Sequence, residues 1–452
     1  MGIKDILEKV LRKDQISTSE SELYRHSRDE SSHDPVLPDV VCFPESTEDI
    51  QQILHIANEQ AVAVTAYGFG SGLEGQVIPM EKGISLNLER MNQVIEFSPE
   101  DMTVTVEPGI TRTMLNEKIN KYGLQFPIDP GADATIGGMA ATNASGTTAV
   151  RYGSMRDCIL DLEVVLADGR VIHTGTKAKK TSSGYSLTGL FTGSEGTLGI
   201  ITKITLKLFG IPEYLIAARC TFPTVEECAE GAYAVLANDI SITRMELVDD
   251  TSIKTVNAYG DYTFPEQHSL FFEFAGTKDT VDAQVAVVKE LMEDIGCDNW
   301  AVATTTKERN ELWRARHEMA YAYQHQQGIS YFITDVCVPI SKLPVIIHYT
   351  RELMDGYHIH GGILGHVGDG NFHTFLTFEK ENEEEKSKVL EVTEKIARKA
   401  IELGGTCTGE HGVGIGKKAF QRQEHGDAVD VMKSMKQVLD PSNILNPGKI
   451  FM

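Results

Sequence analysis

The sequence predicts a two-domain α+β protein, and three observations carry that expectation. The chain has 452 residues, 41% hydrophobic and 24% charged, too long for one domain of ordinary size and normal for a globular composition. In its first half, helix-like and strand-like segments alternate around glycine-rich loops. After Gly210-Ile211-Pro212 glycine thins and longer helical patterns take over, interleaved with strands that turn back on each other. The two domains are expected to meet near residue 212.

The elements follow in order. MGIKDILEKVLRKD spaces Ile3, Ile6, Leu7, Val10 and Leu11 as an amphipathic helix packed on its own domain. Ser46-Thr47 followed by Glu48 and Asp49 starts a helix whose apolar stripe is Ile50, Ile53, Leu54 and Ala57. Ala61–Thr65 reads as a strand running into Gly68, Gly70, Gly72 and Gly75. Thr103–Val106 is a further strand, and the helix around Met114, Leu115 and Ile119 stops at Gly123. Asp161–Leu166 and Arg170–His173 flank Asp168-Gly169, a hairpin signal. Ile200–Leu208 alternates apolar with Lys and Thr, as a half-buried strand does. Beyond 212, helical patterns cover 225–237, 279–295, 306–326, 341–354 and 382–403, with strands over 269–274 and 331–338. The Glu-rich stretch 380–388 is a solvated helix start.

Composition excludes whole classes of function. Forty-two Lys and Arg against 65 Asp and Glu give a net charge of −23, which repels phosphate backbones and anionic lipid, so no nucleic acid partner is expected. The seven cysteines are scattered with no C-x-x-C pair, as in a reduced cytosolic chain. The N-terminus lacks the apolar core of a signal peptide, and no run of 18 apolar residues occurs. A soluble intracellular protein is expected.

Gly70-Ser71-Gly72-Leu73-Glu74-Gly75 matches G-x-G-x-x-G after a strand, yet Gln76-Val77-Ile78-Pro79 follows instead of a helix, so a dinucleotide fold of the Rossmann kind fails. What survives is a run of small residues whose amides can approach an anion. Two further clusters resemble it: Pro130-Gly131 through Gly137-Gly138, Ser145-Gly146 and Tyr152-Gly153, and Gly193–Gly199. Each glycine alone reads as a turn; together they suit an extended dinucleotide diphosphate held by backbone amides. In the second half, Gly365-His366-Val367-Gly368-Asp369-Gly370-Asn371-Phe372-His373 and Gly409-Glu410-His411-Gly412 offer His, His and a carboxylate, an open ligand set for a divalent metal. Two hydrogen-bonded loop histidines and a surface glutamate are the alternative. Arg316, a quarter-turn from the face of Leu312, Ala315 and Met319, is either a solvated arginine or a fork for a carboxylate.

Taken together, these motifs resemble a known family. The glycine clusters, with Gly137-Gly138-Met139-Ala140-Ala141-Thr142-Asn143-Ala144-Ser145-Gly146 at their centre, look like the FAD-binding domain of the vanillyl-alcohol-oxidase/PCMH type. Gly365–His373, Gly409–Gly414, Leu439-Asp440-Pro441 and Asn446-Pro447-Gly448-Lys449 look like its FAD-linked oxidase C-terminal domain. Within that superfamily the chain is most similar to FAD-dependent D-lactate dehydrogenases of the cytochrome type and to the glycolate oxidase catalytic subunit, from about residue 36 to the end.

The resemblance implies a helical extension over 1–35, an FAD-binding domain over 36–212, a cap domain for substrate and metal over 213–425, and a segment over 426–452 returning to the FAD domain. It implies FAD contacts from Gly68, Gly70, Ser71, Gly72 and Leu73; from Pro130, Gly131, Thr135, Gly137, Gly138, Thr142, Ser145 and Gly146; and from Tyr152, Gly196, Ile201 and Asn446. Ala66-Tyr67-Gly68-Phe69 offers no histidine, so the flavin should be non-covalent. Ala66 stands where many members carry arginine, and no phosphate contact carries over there. The resemblance further implies that His366, His373 and Glu410 bind a divalent metal, zinc or manganese, that His411 is the general base, and that Arg316 anchors the substrate carboxylate.

The implied reaction is oxidation of a 2-hydroxy acid to its 2-oxo acid by hydride transfer to flavin N5, with electrons passing to a quinone, cytochrome or electron-transfer protein. Relatives that act on D-2-hydroxyglutarate place polar groups where Ala320, Ile333 and Phe375 stand here. All three are apolar, and the pocket they line together with Asn371 penalises a second carboxylate and favours small acids such as D-lactate. The alternatives are the catalytic subunit of a glycolate oxidase complex, which needs partner subunits, and a flavin-binding sensor without turnover. The expected association is a homodimer or a complex with oxidase subunits. The expected location is the cytoplasm, with a peripheral position at the inner face of the membrane as the alternative.

Overall fold

The Ser46 hydroxyl accepts the amide of Asp49 and starts the helix Thr47–Gln60, which buries Ile50, Ile53, Leu54 and Ala57. Ala61 ends that helix with φ 51°, so the strand expected from Ala61 begins later, at Val64–Tyr67. These features belong to a computed structural model that describes residues 2–452. The chain forms two compact units. One holds the chain up to Gly146, Tyr152–Ile211 and Glu410–Met452; the other holds Thr147–Arg151 and Pro212–Gly409.

In the first unit, Ile16–Ser17, Val40–Cys42, Ile84–Asn87 and Val64–Tyr67 form one sheet in that order. Its last three strands are parallel. Leu7, Leu11, Ile53, Ile84, Ile444 and Leu445 share the core beneath it. The N-terminal helix is shorter than its pattern, Ile3–Leu7. Leu7 and Leu11 are buried while Val10 is exposed, and Met1, the first residue of the expected extension, lies outside the described residues. A second, antiparallel sheet runs Val94–Ser98, Thr103–Val106, Ile200–Lys207, Ile159–Val165, Val171–His173. The last two strands form the hairpin at Asp168-Gly169, with Gly169 at φ 82°.

The second unit is built on one antiparallel sheet in the order Asp298–Ala303, Tyr214–Phe222, His268–Gly276, Arg244–Val248, Gly361–Gly365, Asn371–Glu379, Ile329–Ile333. Helices cover both faces. Phe271 packs with Ile253 and Val256 of the helix Asp250–Tyr259 and with Trp313 and Met319 of Thr306–Gln324. Its neighbour Leu270 points the other way, beside Gly231 and Met292 of the helices Val225–Ala237 and Lys278–Ile295, the alternation a strand imposes. The strand expected over 331–338 is broken into Ile329–Ile333 and Val336–Cys337. Between the two pieces, Thr334 and Asp335 are buried.

The chain leaves the first unit at Ile211 and returns at Glu410, not at 426. Residues 410–425 belong to the first unit because its polar groups hold them. The amides of Val413 and Gly414 donate to the Glu195 carboxylate at 2.6 and 2.8 Å, and the amide of Ile415 donates to Glu74 O at 2.7 Å. Thr147–Arg151, expected within the FAD domain, goes with the second unit, where Arg151 bonds Thr243 Oγ1 and Ala275 O.

Candidate active site

In the first unit the glycine loops gather into one groove. Gly68, Gly70, Ser71, Gly72, Leu73, Pro130, Thr135, Gly138, Thr142 and Ser145 line one stretch, together with Glu410 and His411. Gly137, Gly196, Ile201 and Ala66 line its continuation. The amides of residues 69–73 donate to no acceptor among the described residues. Five consecutive unclaimed N–H groups beside small side chains fit a diphosphate, so the residues present suit FAD. At Gly70, with φ +77°, a Cβ would lie 2.2 Å from the Tyr67 hydroxyl, so only glycine serves there.

Four of the expected FAD residues lie outside this lining. Gly131 and Gly146 turn the chain at positive φ, and Tyr152 packs on Phe209 at 4.8 Å. Asn446 works as a staple, donating to Gln76 O at 3.0 Å and Glu195 O at 2.8 Å. Ser145 spends its hydroxyl on Glu410 Oε2 at 2.9 Å.

The segment that carries Glu410 and His411 is held from below. Gln76 Nε2 donates to His411 O at 2.7 Å, and Glu195 accepts the amides of Val413 and Gly414. Burial pushes the Glu195 carboxyl up to about 7. Desolvation brings Lys449 down to about 8, with Glu195 pulling the other way. Lys449 donates to Asn446 Oδ1 at 3.1 Å. His411 Nδ1 stands 4.0 Å from Glu74 Oε1, which also pairs with Lys417 at 3.5 Å.

In the second unit, His366 and His373 flank the hairpin between Gly361–Gly365 and Asn371–Glu379, where Leu364 pairs with His373. Gly370 makes the turn at φ +79°, its Cα facing Val338 O so closely that a Cβ would sit 2.1 Å away. The seven-residue spacing thereby becomes proximity, with the two imidazole rings edge to face and 5.4 Å apart. His366 Nδ1 lies 2.7 Å from Glu246 Oε1. His373 Nδ1 lies 3.2 Å from Thr334 O and 3.8 Å from Asp335 Oδ1. An oxygen acceptor on each Nδ1 selects the tautomer with the lone pair on Nε2, the donor set a divalent metal takes.

Arg316 is buried rather than solvated. Its Nε and Nη2 reach Glu246 Oε2 at 3.0 and 2.7 Å. Burial alone would raise the Glu246 carboxyl, but His366 and Arg316 hold it below its ordinary range. Phe375 stacks on Tyr323 at 4.7 Å and pairs with Ile333 across the sheet. Ala320, expected in the same wall, is exposed, because Ala315 and Met319 take the buried side of its helix. Asn371, expected to face substrate, commits Nδ2 to Asp335 Oδ1 and Val336 O. Sequence reasoning missed Glu246, whose signal is one carboxylate in the apolar strand Arg244-Met245-Glu246-Leu247-Val248. It also missed Asp335, which sits where a strand pattern breaks.

A groove of glycine loops joined to an antiparallel α+β unit defines a two-domain FAD-linked oxidoreductase. Residues 38–175 match the FAD binding domain family, and residues 211–450 match the C-terminal domain of FAD linked oxidases; the chain belongs to this FAD-linked oxidase family. A probable mitochondrial D-lactate dehydrogenase of Danio rerio is 46% identical over 431 residues, 94% of this chain and 87% of its own. The glycolate oxidase subunit GlcD of Bacillus subtilis is 34% identical over 420 residues, 92% of this chain and 89% of its own. Among solved structures, 4-ethylphenol oxidase from Gulosibacter chungangensis shares the fold, with a TM-score of 0.81 at 19% identity over 99% of this chain and 96% of its own.

Proposed function

We propose that the enzyme oxidises a small D-2-hydroxy acid of the D-lactate type to its 2-oxo acid and passes the electrons to an external quinone, cytochrome or electron-transfer protein. The observation that carries this reading is Arg316, a buried guanidinium oriented by Glu246 in the same unit as the apolar cluster that holds Phe375, Tyr323 and Ile333. A fixed cation suits one carboxylate, and apolar side chains suit a short apolar tail. The D-lactate dehydrogenase relatives support the same substrate class.

Each residue has a role in this reading. Arg316 binds the substrate carboxylate and fixes which face of the α-carbon is presented. His411 accepts the proton of the α-hydroxyl, a task suited to imidazole near neutral pH. His366, His373 and Glu410 would hold a divalent metal, zinc or manganese, whose Lewis acidity makes that hydroxyl more acidic. Non-covalently bound FAD supplies the two-electron acceptor. Phe375 and Ile333 exclude water and discriminate against diacids.

A second reading, the catalytic subunit of a glycolate oxidase complex, is favoured by the GlcD relatives; turnover that appears only with added partner subunits would select it. No helix of the described residues is long and apolar enough to cross a membrane; the location we propose is the cytoplasm, with peripheral attachment at the inner face of the membrane as the alternative. The deciding experiment mixes the enzyme anaerobically with D- and L-2-hydroxy acids and follows flavin bleaching, with and without chelation. Rapid bleaching by D-lactate, lost on chelation while FAD stays bound, is the expected result. Bleaching by none of the acids sinks the substrate class, and undiminished bleaching in metal-free enzyme removes the metal.

A further inference from the structure

We propose that Glu246 is a positioning residue for this oxidation, one buried carboxylate that sets both the reach of Arg316 toward substrate and the orientation of His366 toward the metal. The inference rests on the roles given above to Arg316 and His366.

The backbone brings these groups together. Leu247 pairs with Gly365 and Val248 with Leu364, so the antiparallel register carries Glu246 opposite His366. Glu246 is fully buried, and its two oxygens are divided between two partners. Oε1 takes His366 Nδ1 at 2.7 Å. Oε2 takes Arg316 Nε at 3.0 Å and Nη2 at 2.7 Å.

Two consequences follow from that division. With the Nε–Nη2 edge of the guanidinium turned to Glu246, an incoming carboxylate meets the Nη1 end, so the substrate is gripped end-on. With Nδ1–H of His366 donating to Oε1, the ring lone pair is on Nε2 and the plane of the imidazole is fixed. A merely structural ion pair would need only one of these contacts. Because both partners are donors, both carboxylate oxygens are required. A glutamine has one acceptor and one donor amide, so it can satisfy Arg316 or His366 in this tautomer, never both.

The test uses the full-length FAD-loaded enzyme with Glu246→Gln and Glu246→Asp. The aspartate keeps the charge but is one methylene too short to reach both partners. Mn²⁺ affinity is read by paramagnetic resonance, and pyruvate affinity by the change in flavin absorbance. Glu246→Gln is expected to weaken Mn²⁺ on the order of 10–100-fold or pyruvate about tenfold or more, with FAD content and circular dichroism unchanged. Should the glutamine variant fail to fold, the aspartate decides, with loss of at least one of the two affinities expected. A folded variant that binds Mn²⁺ and pyruvate as the parent does, even if less heat-stable, overturns the positioning role. A parent that takes up no Mn²⁺ and binds no pyruvate overturns the underlying reading of Arg316 and His366 as well.

Discussion

The two units solve the problem of building a site in opposite ways. Toward the dinucleotide the first unit presents backbone, the amides of residues 69–73 and the small residues beside them, with the side chains of Glu410 and His411 lining the same groove. Asn446, Gln76 and Glu195 hold those loops from beneath. The second unit presents side chains, and each is aimed by a buried acceptor from another strand or break: Glu246 behind Arg316 and His366, and Thr334 behind His373. A backbone site tolerates changes of side chain and fails when a Cβ is added. A side-chain site behaves the other way round, because its aiming partner is left buried and unpaired when one group is removed.

The sharpest way to break this comparison is Arg316→Ala. It removes the substrate cation and leaves the Glu246 carboxylate buried opposite a gap. We expect a loss of about 3–5 kcal/mol in unfolding free energy and a kcat/KM on D-lactate lower by about 10²–10³-fold, while FAD content stays at the parent level. Urea melts, stopped-flow reduction and flavin content measure the three. Loss of FAD from this variant would mean that FAD retention depends on Arg316 as well as on the backbone groove.

Glu195 tests the supports of the first unit. Its folded pKa of about 7 lies above its ordinary value, so between the two values the native state binds more protons than the unfolded one. Stability is therefore full at the acidic end and falls as pH rises through about 7, by about 3 kcal/mol at most. Lys449, lowered to about 8, acts with the opposite slope at higher pH, where stability recovers. Thermal melts from pH 5 to 7.5 should show the falling limb largely removed in Glu195→Gln. Asp29, also raised by burial, contributes with the same sign. An unchanged limb would mean that Glu195 is not the titrating group.

Gly70→Ala sharpens the contrast at smaller scale. The added methyl meets the Tyr67 hydroxyl at a positive φ, and we expect FAD affinity to fall by the equivalent of about 1–3 kcal/mol. Ser71→Ala, next to it in the same lining, should cost under about 0.5 kcal/mol. Equilibrium FAD titration of the two apoproteins compares them, and equal losses would contradict a backbone-built site.

The same contrast decides what could be read from the sequence. Glycine runs were legible because each loop of the groove is contiguous in the chain. Ser46 and the stripe Ile50, Ile53, Leu54, Ala57 were legible for the same local reason. His366 and His373 were visible as residues, but their proximity depends on a hairpin, and Glu246 comes from a strand 120 positions earlier than His366. The helix Asp250–Tyr259 escaped notice because Thr251, Ile253, Thr255 and Val256 are β-branched and weak helix formers, although Asp249 caps it by accepting the Ser252 amide. The sequence does not show that residues 410–425 belong to the first unit, because nothing local to them names Glu74 and Glu195 as their partners.

The late return of the chain also orders its synthesis. The second unit is nearly continuous, Pro212–Gly409 plus Thr147–Arg151, and all of it has left the ribosome before Glu410 appears. The first unit, begun earlier, still lacks Ile444 and Leu445 of its core and the Asn446 and Lys449 staples. A nascent chain therefore carries a finished younger half beside an unfinished older one. Until the tail arrives, Val64 has no Leu445 beside it, and the parallel sheet it borders presents an open edge to chaperones and proteases.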